Sequence, residues 1–457
     1  MTLSKKYDLA IIGSGPGGYI AALYASRHNL KTCVIEKDLL GGTCLNKGCI
    51  PTKTLINSAS IVSAIKDSAA FGVNVDSCKI DFPKMISRKN EVVLRLRTGV
   101  ETLFRARKID LVHGRASIVR PNTLDVEGAG ELSAKSIIVA SGSRPAELAN
   151  IKIDERDILS SEGALNLKSL PKNIVVIGGG VIGCEFASLF NTLGSKVTIV
   201  EFMDRLIPTQ SREASKKLEM VFKKRGIEIN VSSKAESVLR EGNIKISITG
   251  GKVIETEKVL VSVGRVSNIE GLGLEKAGVN TENGMIAVDE HLATHAKDIY
   301  AIGDCVSGPQ LAHKASYDGI AACDNILGGE RHVDYSNIPN CIWTDPEIAS
   351  VGMNEEDARM KHPDARIAKF PYIASGKAYL EGKTEGFAKI IGDSGGKILG
   401  VEIFGRLACE LIGEAVLART SGITIEEWAR AVHGHPTLSE ITQEALHVFN
   451  GKAIHSI

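Results

Sequence analysis

Two cysteines, Cys44 and Cys49, are separated by four residues in this chain of 457 residues. They lie in the segment 41–53, which follows closely on a glycine-rich motif of the kind that binds dinucleotides. If the two thiols form a disulfide at that place, electrons can pass between sulfur and a bound redox cofactor. The pair is therefore the first candidate for chemistry in the sequence.

Other interpretations of the cysteine pair are also open. A Cys-x4-Cys spacing can begin an iron–sulfur cluster, although Thr52 occupies the place of the next cysteine. A zinc site would need a second pair of ligands, and no nearby Cys or His supplies one, so we expect no metal site. Two unreactive buried thiols are the remaining alternative. A helix predicted to continue through 54–64 starts close to both cysteines, and a helix N-terminus favours the reactive thiolate form.

The elements that must position these thiols belong to a pattern that occurs twice. In each copy, an apolar strand leads into a glycine-rich turn, a helix and a second strand that ends on an acid. The turn glycines and the acids are Gly13, Gly15, Gly18 and Glu36 in the first copy, and Gly178, Gly180, Gly183 and Glu201 in the second. The first glycine and the acid are 23 positions apart in both copies. Because such glycines let a pyrophosphate approach a helix N-terminus while the acid binds a ribose hydroxyl, the pattern predicts two dinucleotide-binding modules.

The second module should prefer NAD over NADP, because the Glu201 carboxylate would repel a 2′-phosphate. Arg205 follows close by, and we expect it on a surface helix rather than at a phosphate. Each module also ends in an apolar strand that runs into Gly and Arg, at 137–145 in the first and at 259–265 in the second. This echo, which includes Gly264, predicts two related modules, the second inserted after the first.

Charge and composition exclude some classes of protein. Lys and Arg total 55 and Asp and Glu total 54, so the near-neutral chain offers no general attraction to nucleic acid or a membrane surface. Only six residues precede the first apolar run, and no apolar stretch is long enough for a membrane span. The nine cysteines are odd in number and scattered, unlike a disulfide framework. We therefore expect a cytoplasmic protein whose cysteines are mostly reduced.

Together these residues resemble the flavoprotein disulfide reductases, over essentially the whole chain. The segments that carry the resemblance are 13–18, 41–53, 178–183, 301–304, 311–315 and 435–440. Within this family the chain is most similar to the NAD-dependent enzymes that oxidise dihydrolipoyl groups. The implied fold is α/β, with two Rossmann-like domains and a C-terminal α+β dimerisation domain. The expected boundaries are 1–145 for the first part of an FAD-binding domain, 146–267 for an inserted NAD-binding domain, 268–337 for the return segment of the FAD-binding domain and 338–457 for the interface domain.

The resemblance also assigns cofactor-binding residues. Those expected around FAD are Gly13, Gly15, Gly18, Glu36, Lys53, Gly303, Asp304 and Ala312. Those expected around NAD are Gly178, Gly180, Gly183, Glu185, Glu201 and Gly264. Lys53 and Glu185 are expected as a charged pair beside the flavin ring. Each has an alternative: a solvent-exposed helix position for Lys53, and a first-turn acid favoured by the helix dipole for Glu185.

Thiol–disulfide exchange needs a base, and His435, with Glu440 five positions later, is the candidate. The family places its base immediately before a proline, which selects His435 over His433; we expect His433 to pack or to hydrogen-bond. Nothing in the first 150 residues offers a comparable base. The resemblance implies that His435 comes from the second subunit of a homodimer, whose interface domain uses residues 342–343 and strands 387–391 and 398–404.

The activity that the resemblance implies is oxidation of a dihydrolipoyl group by a Cys44–Cys49 disulfide. The substrate would meet Cys44, while Cys49 would pass the electrons through FAD to NAD+, which becomes NADH. The expected partners are lipoyl domains of 2-oxoacid dehydrogenase or glycine cleavage complexes, without nucleic acid or membrane. The alternatives are another flavoprotein disulfide reductase, or a flavin- and NAD-binding redox sensor or scaffold without turnover. Glu201 argues against the NADP-using relatives, and the presence of both cysteines with a base argues against a scaffold.

Overall fold

The structure, a computed structural model, describes residues 5–455. Its α-helices are α1 (Pro16–Arg27), α2 (Gly42–Lys47), α3 (Cys49–Asp67), α4 (Phe82–Arg107), α5 (Ser161–Ala164), α6 (Val181–Leu193), α7 (Arg212–Lys224), α8 (Ala312–Ile326), α9 (Glu355–Lys361), α10 (Gly376–Leu380), α11 (Ala408–Thr420), α12 (Ile425–Ala429) and α13 (Glu440–Phe449). Short 3₁₀ segments are Ser68–Phe71, Leu274–Ala277, Gly303–Cys305 and Tyr372–Ala374.

The strands of the described chain form several sheets. They are β1 (Lys5–Ile12), β2 (Thr32–Glu36), β3 (Asp110–His113), β4 (Ala116–Arg120), β5 (Thr123–Val126), β6 (Gly130–Val139), β7 (Ser143–Pro145), β8 (Ile158–Leu159), β9 (Asn173–Ile177), β10 (Lys196–Val200), β11 (Glu228–Asn230), β12 (Ala235–Glu241), β13 (Asn243–Ile248), β14 (Lys252–Thr256), β15 (Lys258–Val261), β16 (Arg265–Ser267), β17 (Thr281–Glu282), β18 (Met285–Ile286), β19 (Ile299–Ala301), β20 (Asn340–Ile342), β21 (Glu347–Gly352), β22 (Arg366–Pro371), β23 (Phe387–Gly392) and β24 (Ile398–Gly405).

The first sheet has the strand order β3-β2-β1-β6-β5-β4, and β19 also pairs with β6. Strand β1, which runs into the first glycine turn, is parallel to its neighbours β2 and β6, and β2 is buried along its whole length. Such two-sided burial is typical of parallel sheets covered by helices, here α1 and α8 on one face. Because β19 comes from the return segment, the chain leaves this sheet, forms the second one and then comes back.

The second sheet, in the order β11-β10-β9-β15-β8, is parallel throughout. Its helix α6 is buried along most of its length and also packs against α3 of the first unit. A small antiparallel sheet, β12-β13-β14, shares a hydrophobic core with β9 and β15. The strand-turn-helix-strand pattern predicted from the sequence is therefore present in both units.

The two predicted Gly–Arg segments pair with each other. Strand β7 lies antiparallel to β16, with Arg265 opposite Pro145 and Ser267 opposite Ser143. These strands stand where the chain passes from the first unit into the second and where it returns. The sequence echo therefore marks the two connections between the units, held side by side in one short ribbon.

The third sheet, β20-β21-β24-β23-β22, is antiparallel, and α11, α12 and α13 contribute to the core beside it. Strands β23 and β24 are central in this sheet, and every one of their residues is buried. The strands that we expected in a subunit interface therefore form the core of their own domain, and an interface would have to use other elements. Between residues 5 and 455, no helix is both long and apolar enough to cross a membrane.

Candidate functional site

A cavity of about 1780 Å3 lies between the first two units, and a segment of the third unit also lines it. Both glycine turns, the cysteine segment, the Gly–Asp turn after β19 and the segment around Trp343 line it. The predicted site residues that line it are Gly13, Gly15, Glu36, Cys44, Cys49, Lys53, Gly178, Gly180, Glu185, Glu201, Gly264, Gly303, Asp304 and Ala312. Four predicted site residues lie outside its lining: Gly18, Gly183, His435 and Glu440. The fold thus brings most of the predicted cofactor and thiol residues around one space.

The glycine turns need glycine for two separate reasons. Gly13 and Gly178 have φ angles of +99° and +104°, where side chains other than glycine are strained. A Cβ at Gly18 would overlap the Gly13 carbonyl oxygen, and Gly183 stands in the same relation to Gly178, so these glycines close each turn. In contrast, a Cβ at Gly15 or Gly180 would meet none of the described atoms within 4 Å, so these two positions are open at the helix N-terminus. Such open space at a helix N-terminus leaves room for a phosphate group.

Each strand-end acid is held by two backbone amides. Glu36 accepts hydrogen bonds from the Ser14 amide at 2.9 Å and from the Asp38 amide at 2.9 Å. Glu201 accepts from the Gly179 amide and from the Met203 amide, the latter at 2.6 Å. Both carboxylates are buried at the edge of the cavity. Their placement fits recognition of a ribose hydroxyl in each module.

The cysteines belong to two helices, not to the start of one helix as predicted. Cys44 lies in the short helix α2, and Cys49 is the first residue of α3, with Gly48 between them. This break turns the thiols toward each other. The hydrogen bond from the Cys44 thiol lowers the pKa of Cys49 to about 7, and the positive charge of Lys53 acts in the same direction. The Cys44 thiol therefore lowers the pKa of Cys49 more than the helix N-terminus does, although the prediction relied on the helix N-terminus.

Lys53 and Glu185 form an ion pair beside the thiols. The Lys53 Nζ lies 2.7 Å from Glu185 Oε2 and 4.6 Å from the centre of the Trp343 indole ring. The Trp343 amide donates to Glu185 Oε1 at 3.0 Å. Glu185 is buried and lies beyond the first turn of α6, so neither alternative interpretation of these residues holds. The pair joins α3, α6 and the segment after β20 at one point of the cavity wall.

The Gly–Asp turn after β19 is held by the β7–β16 ribbon. Asp304 Oδ2 accepts from the Ser143 hydroxyl at 2.6 Å, and the Asp304 carbonyl accepts from the Ser267 hydroxyl at 2.7 Å. Ser143 and Ser267 are opposite each other in the β7–β16 ribbon. The ribbon that connects the units therefore also positions Asp304. Ala312, at the start of α8, also lines the cavity.

A buried ion pair under this turn was missed by the sequence interpretation. Lys314 and Asp318 are fully buried, and their charged atoms lie 2.8 Å apart. Lys314 Nζ donates to the Gly303 carbonyl at 3.0 Å, and the Gly303 amide donates to Asp318 Oδ2 at 2.9 Å. The i, i+4 spacing of Lys and Asp on an otherwise apolar helix face was the signal available in the sequence. The pair clamps the backbone on which Asp304 stands.

Arg205 does not lie on a helix. It stands in the irregular segment between β10 and α7, which begins only after the N-cap Ser211. Its guanidinium donates to the Pro208 carbonyl at 3.0 Å and pairs with Asp204 at 3.4 Å. The expected surface-helix position is therefore wrong, because the segment around Pro208 delays the start of the helix. The side chain fastens its own loop and is not part of the cavity lining.

His435 and Glu440 form a pair of their own. His435 Nδ1 lies 2.9 Å from Glu440 Oε1, and the Thr437 amide donates to Glu440 Oε2 at 2.8 Å. Although partial burial acts in the opposite direction, the hydrogen bond with His435 lowers the pKa of Glu440. The His435 side chain is 81% exposed and the described chain does not bring it into its own cavity. His433, in contrast, is mostly buried and hydrogen-bonded to Glu414 at 2.8 Å, as expected for a packing residue.

A further group of potential ligands lies away from the cavity. Glu290, His291 and His332 each place one donor atom within 4.8 Å of the others. Two of the three residues are exposed. The sequence interpretation missed this cluster because His332 follows 41 positions after His291.

Two dinucleotide-type turns that open into one cavity, with a close thiol pair beside it, define a class of oxidoreductase that moves electrons between thiols and dinucleotides. The chain matches the family model of pyridine nucleotide-disulphide oxidoreductases over residues 7–319 and the model of that family's dimerisation domain over residues 338–446. The chain belongs to the pyridine nucleotide-disulphide oxidoreductase family. This membership confirms the predicted family and the predicted α/β fold class with its C-terminal dimerisation domain.

The matches to curated relatives and to a solved structure extend over nearly the whole chain. The dihydrolipoyl dehydrogenase of Bacillus subtilis is 42% identical, and the match covers 99% of this chain and 100% of that protein. The dihydrolipoyl dehydrogenase of Chlamydia pneumoniae is also 42% identical, with 99% of both chains covered. The crystal structure of LpdA from Mycobacterium tuberculosis is 28% identical with a TM-score of 0.92, and the match covers 97% of this chain and 99% of that one.

Proposed function

We propose that this chain oxidises dihydrolipoyl groups carried by partner proteins and reduces NAD+ to NADH, with Cys44 and Cys49 as its redox-active pair. The activity is that of the full-length dihydrolipoyl dehydrogenase relatives, and the family uses FAD and NAD(H). The observation that carries the thiol assignment is the contact between Cys44 and Cys49 in the wall of the cavity. We also propose a cytoplasmic homodimer that serves lipoyl domains of 2-oxoacid dehydrogenase or glycine cleavage complexes.

The residues around the cavity fit the two dinucleotides. The first turn with Glu36, Lys53 and Asp304 would hold FAD, and the second turn with Glu201 would hold NAD. A carboxylate at Glu201, buried and held by two amides, disfavours the 2′-phosphate of NADP. When bound, FAD supplies the electron transfer between the dithiol and the nicotinamide.

The thiols divide the chemistry between them. In the oxidised protein a substrate thiolate attacks the sulfur of Cys44, and Cys49 leaves as a thiolate. The second substrate thiol then displaces Cys44, so that the substrate becomes a disulfide and both cysteines are reduced. A pKa of about 7 suits Cys49 to be the leaving group, because a low thiol pKa makes departure faster.

The base would be His435 from a second copy of the chain. Its Nδ1 is occupied by Glu440, which leaves Nε2 to take a proton from the substrate thiol. Exposure of the imidazole and the match to a dimerisation domain support this arrangement. The dimer would then be required for activity, since one chain would supply the thiols and the other the base.

A first test measures NADH formation from dihydrolipoamide by the FAD-loaded protein. We expect C44S to abolish turnover while FAD stays bound, and C78S to keep full activity because Cys78 is exposed and lies outside the cavity lining. Turnover by C44S would overturn the thiol assignment. Active protein that uses only NADP+ would overturn the cofactor assignment.

A second test addresses the shared site. C44S and H435Q chains carrying different tags would be expressed together, and the mixed dimer purified. If the base comes from the partner, one of the two sites keeps both Cys44 and His435, so the mixed dimer regains activity that neither parent dimer has. An inactive mixed dimer that binds FAD normally would show that the base acts within its own chain.

A further inference from the structure

The fold brings a second pair of cysteines together. Cys341 lies on the edge strand β20, and Cys409 is the second residue of α11, 68 positions later. The Cys409 Sγ lies 3.7 Å from the Ile342 carbonyl and 3.8 Å from the Ile348 carbonyl, which are opposite each other in the β20–β21 pair. Strand β20 thereby places the Cys341 thiol beside that of Cys409, close enough for each thiol to shift the pKa of the other. The register of β20 against β21 and the position of the start of α11 therefore bring together two thiols that are far apart in the sequence.

This second pair borders the cavity of the proposed active site. Cys341 lines the cavity together with Lys53 and Trp343, whereas Cys409 is not among the lining residues. Cys409 is held in place behind it, because its amide donates to Glu347 Oε2 at 3.0 Å. A small molecule in the cavity would thus reach Cys341 first, because Cys409 lies behind Cys341 as seen from the cavity.

The electrostatics of the pair assign different roles to its members. The hydrogen bond from the Cys409 thiol lowers the pKa of Cys341, although burial and Glu347 oppose this. The same hydrogen bond raises the pKa of Cys409. Burial raises the pKa of Glu347, which contacts Cys409 through its backbone amide. The arrangement repeats that of the Cys44–Cys49 pair, in which a hydrogen bond from the Cys44 thiol lowers the pKa of Cys49.

We propose that Cys341 and Cys409 form a second, reversible disulfide that is made by hydroperoxides entering the cavity. The Cys341 thiolate attacks the peroxide oxygen, the O–O bond breaks, and an alcohol or water leaves while Cys341 becomes a sulfenic acid. The Cys409 thiol then attacks that sulfur, and water leaves as the disulfide forms. Two thiols lose two electrons and two protons, and the hydroperoxide gains them. A dithiol reverses the modification by exchange.

The test uses the FAD-loaded full-length protein, hydrogen peroxide as the probe, and dithiothreitol for reversal. After exposure, free thiols are alkylated and the digested protein is analysed by mass spectrometry. We expect a cross-linked Cys341–Cys409 peptide lighter by two hydrogen atoms than the two reduced peptides, which disappears after dithiothreitol. The measurement is repeated in C44S/C49S protein, where the first thiol pair cannot exchange with the second.

Single variants and an internal control separate this pathway from general oxidation. C409S should leave Cys341 as a sulfenic acid that dimedone traps, and C341S should keep Cys409 alkylatable. Cys78, which is exposed, reports that the oxidant reached the protein. The proposal is overturned if no Cys341–Cys409 disulfide forms at peroxide levels that oxidise Cys78. It is also overturned if, in the protein of unchanged sequence, Cys341 is over-oxidised while Cys409 stays a free thiol. The unchanged protein decides the question even if a serine variant fails to fold.

Discussion

The two glycine turns hold their strand-end acids in the same way but are tied to different neighbours. In the first module, position 14 is Ser14, whose hydroxyl donates to Glu36 at 2.5 Å and accepts from the Gly41 amide at 3.1 Å. In the second, the corresponding Gly179 packs against Leu206, and its carbonyl accepts from the Ile207 amide at 2.8 Å. The first turn is thus bonded to the segment that carries the cysteines.

This contrast shows where the chemistry of the fold comes from. The frame of turn, helix and acid is common to both modules and serves only to hold a dinucleotide. The segment after the acid differs between them: α2 and α3 with the thiols come after Glu36, and a loop fastened by Arg205 comes after Glu201. The first module also carries the Lys314–Asp318 clamp, which comes from the return segment. Substitutions in one module should therefore leave the other largely intact.

The largest effect should come from Lys314→Met, which breaks the clamp of the first module. An unpaired carboxylate would remain at Asp318, which is fully buried, and loss of one partner of a buried pair costs about 3–5 kcal/mol. We expect a lower free energy of unfolding in urea and loss of bound FAD. The second module, which carries the NAD site, should stay folded.

The matched control is Lys223→Met on α7 of the second module. Lys223 is 61% exposed and its contact with Glu219 is 3.8 Å, so a cost of only about 0.5 kcal/mol is expected after screening. Equal losses for both variants would mean that burial of the clamp does not matter.

The next effect tests whether each acid serves its own dinucleotide. Glu36 and Glu201 are charged acceptors that two backbone amides hold in place for a ribose hydroxyl. Replacing either by Gln removes the charge from that bond to the ribose; a hydrogen bond to a charged group is worth about 1.5–3 kcal/mol, or roughly ten- to a hundredfold in affinity. E36Q should weaken FAD retention without changing the KM for NAD+. E201Q should raise the KM for NAD+ and reduce the preference of the enzyme for NAD+ over NADP+. If either variant impaired both cofactors equally, the modules would not be independent.

The sequence was sufficient for the parts of the site that are local. The turn glycines and their acid lie within 23 positions, so their spacing alone predicted both modules. The cysteine pair and the His435–Glu440 pair are similarly close. The break at Gly48 and the loop position of Arg205 were missed, since both depend on where a helix begins, which is the least certain feature of a sequence-based prediction.

Contacts between distant segments were beyond sequence reasoning for a different reason. Ser143 and Asp304 are 161 positions apart, and Cys341 and Cys409 meet through the pairing of β20 with β21 and the packing of the start of α11 against it. A shift of one residue in such a register would turn every side chain to the other face. These contacts depend on packing, so no spacing in the sequence could indicate them.

A smaller effect is expected when the extra hydroxyl of the first turn is removed. Ser14→Ala eliminates the hydroxyl bonds to Glu36 and Gly41 but keeps both amide bonds, so a cost of about 1 kcal/mol in the free energy of unfolding is expected. The converse change, Gly179→Ser, places a Cβ against Leu206 and Glu201 and should cost more, about 1–3 kcal/mol through overpacking. Urea unfolding of both variants gives the comparison, and a harmless G179S would show that the turns are interchangeable.

The smallest effect concerns the thiols that the first module carries and the second lacks at the matching place. Because the pKa of Cys49 is lowered to about 7, its thiolate predominates above that pH and is lost as the pH falls through it. In the reduced protein, the alkylation rate of Cys49 with iodoacetamide should therefore rise with pH around a midpoint near 7. Lys53→Met removes a positive charge that favours the thiolate, so the midpoint should move to higher pH. Lys47→Met, which removes a lysine of α2 that pairs with Asp38, is the matched control and should leave the midpoint in place. An unchanged midpoint in K53M would mean that the thiol partner alone sets the acidity of Cys49.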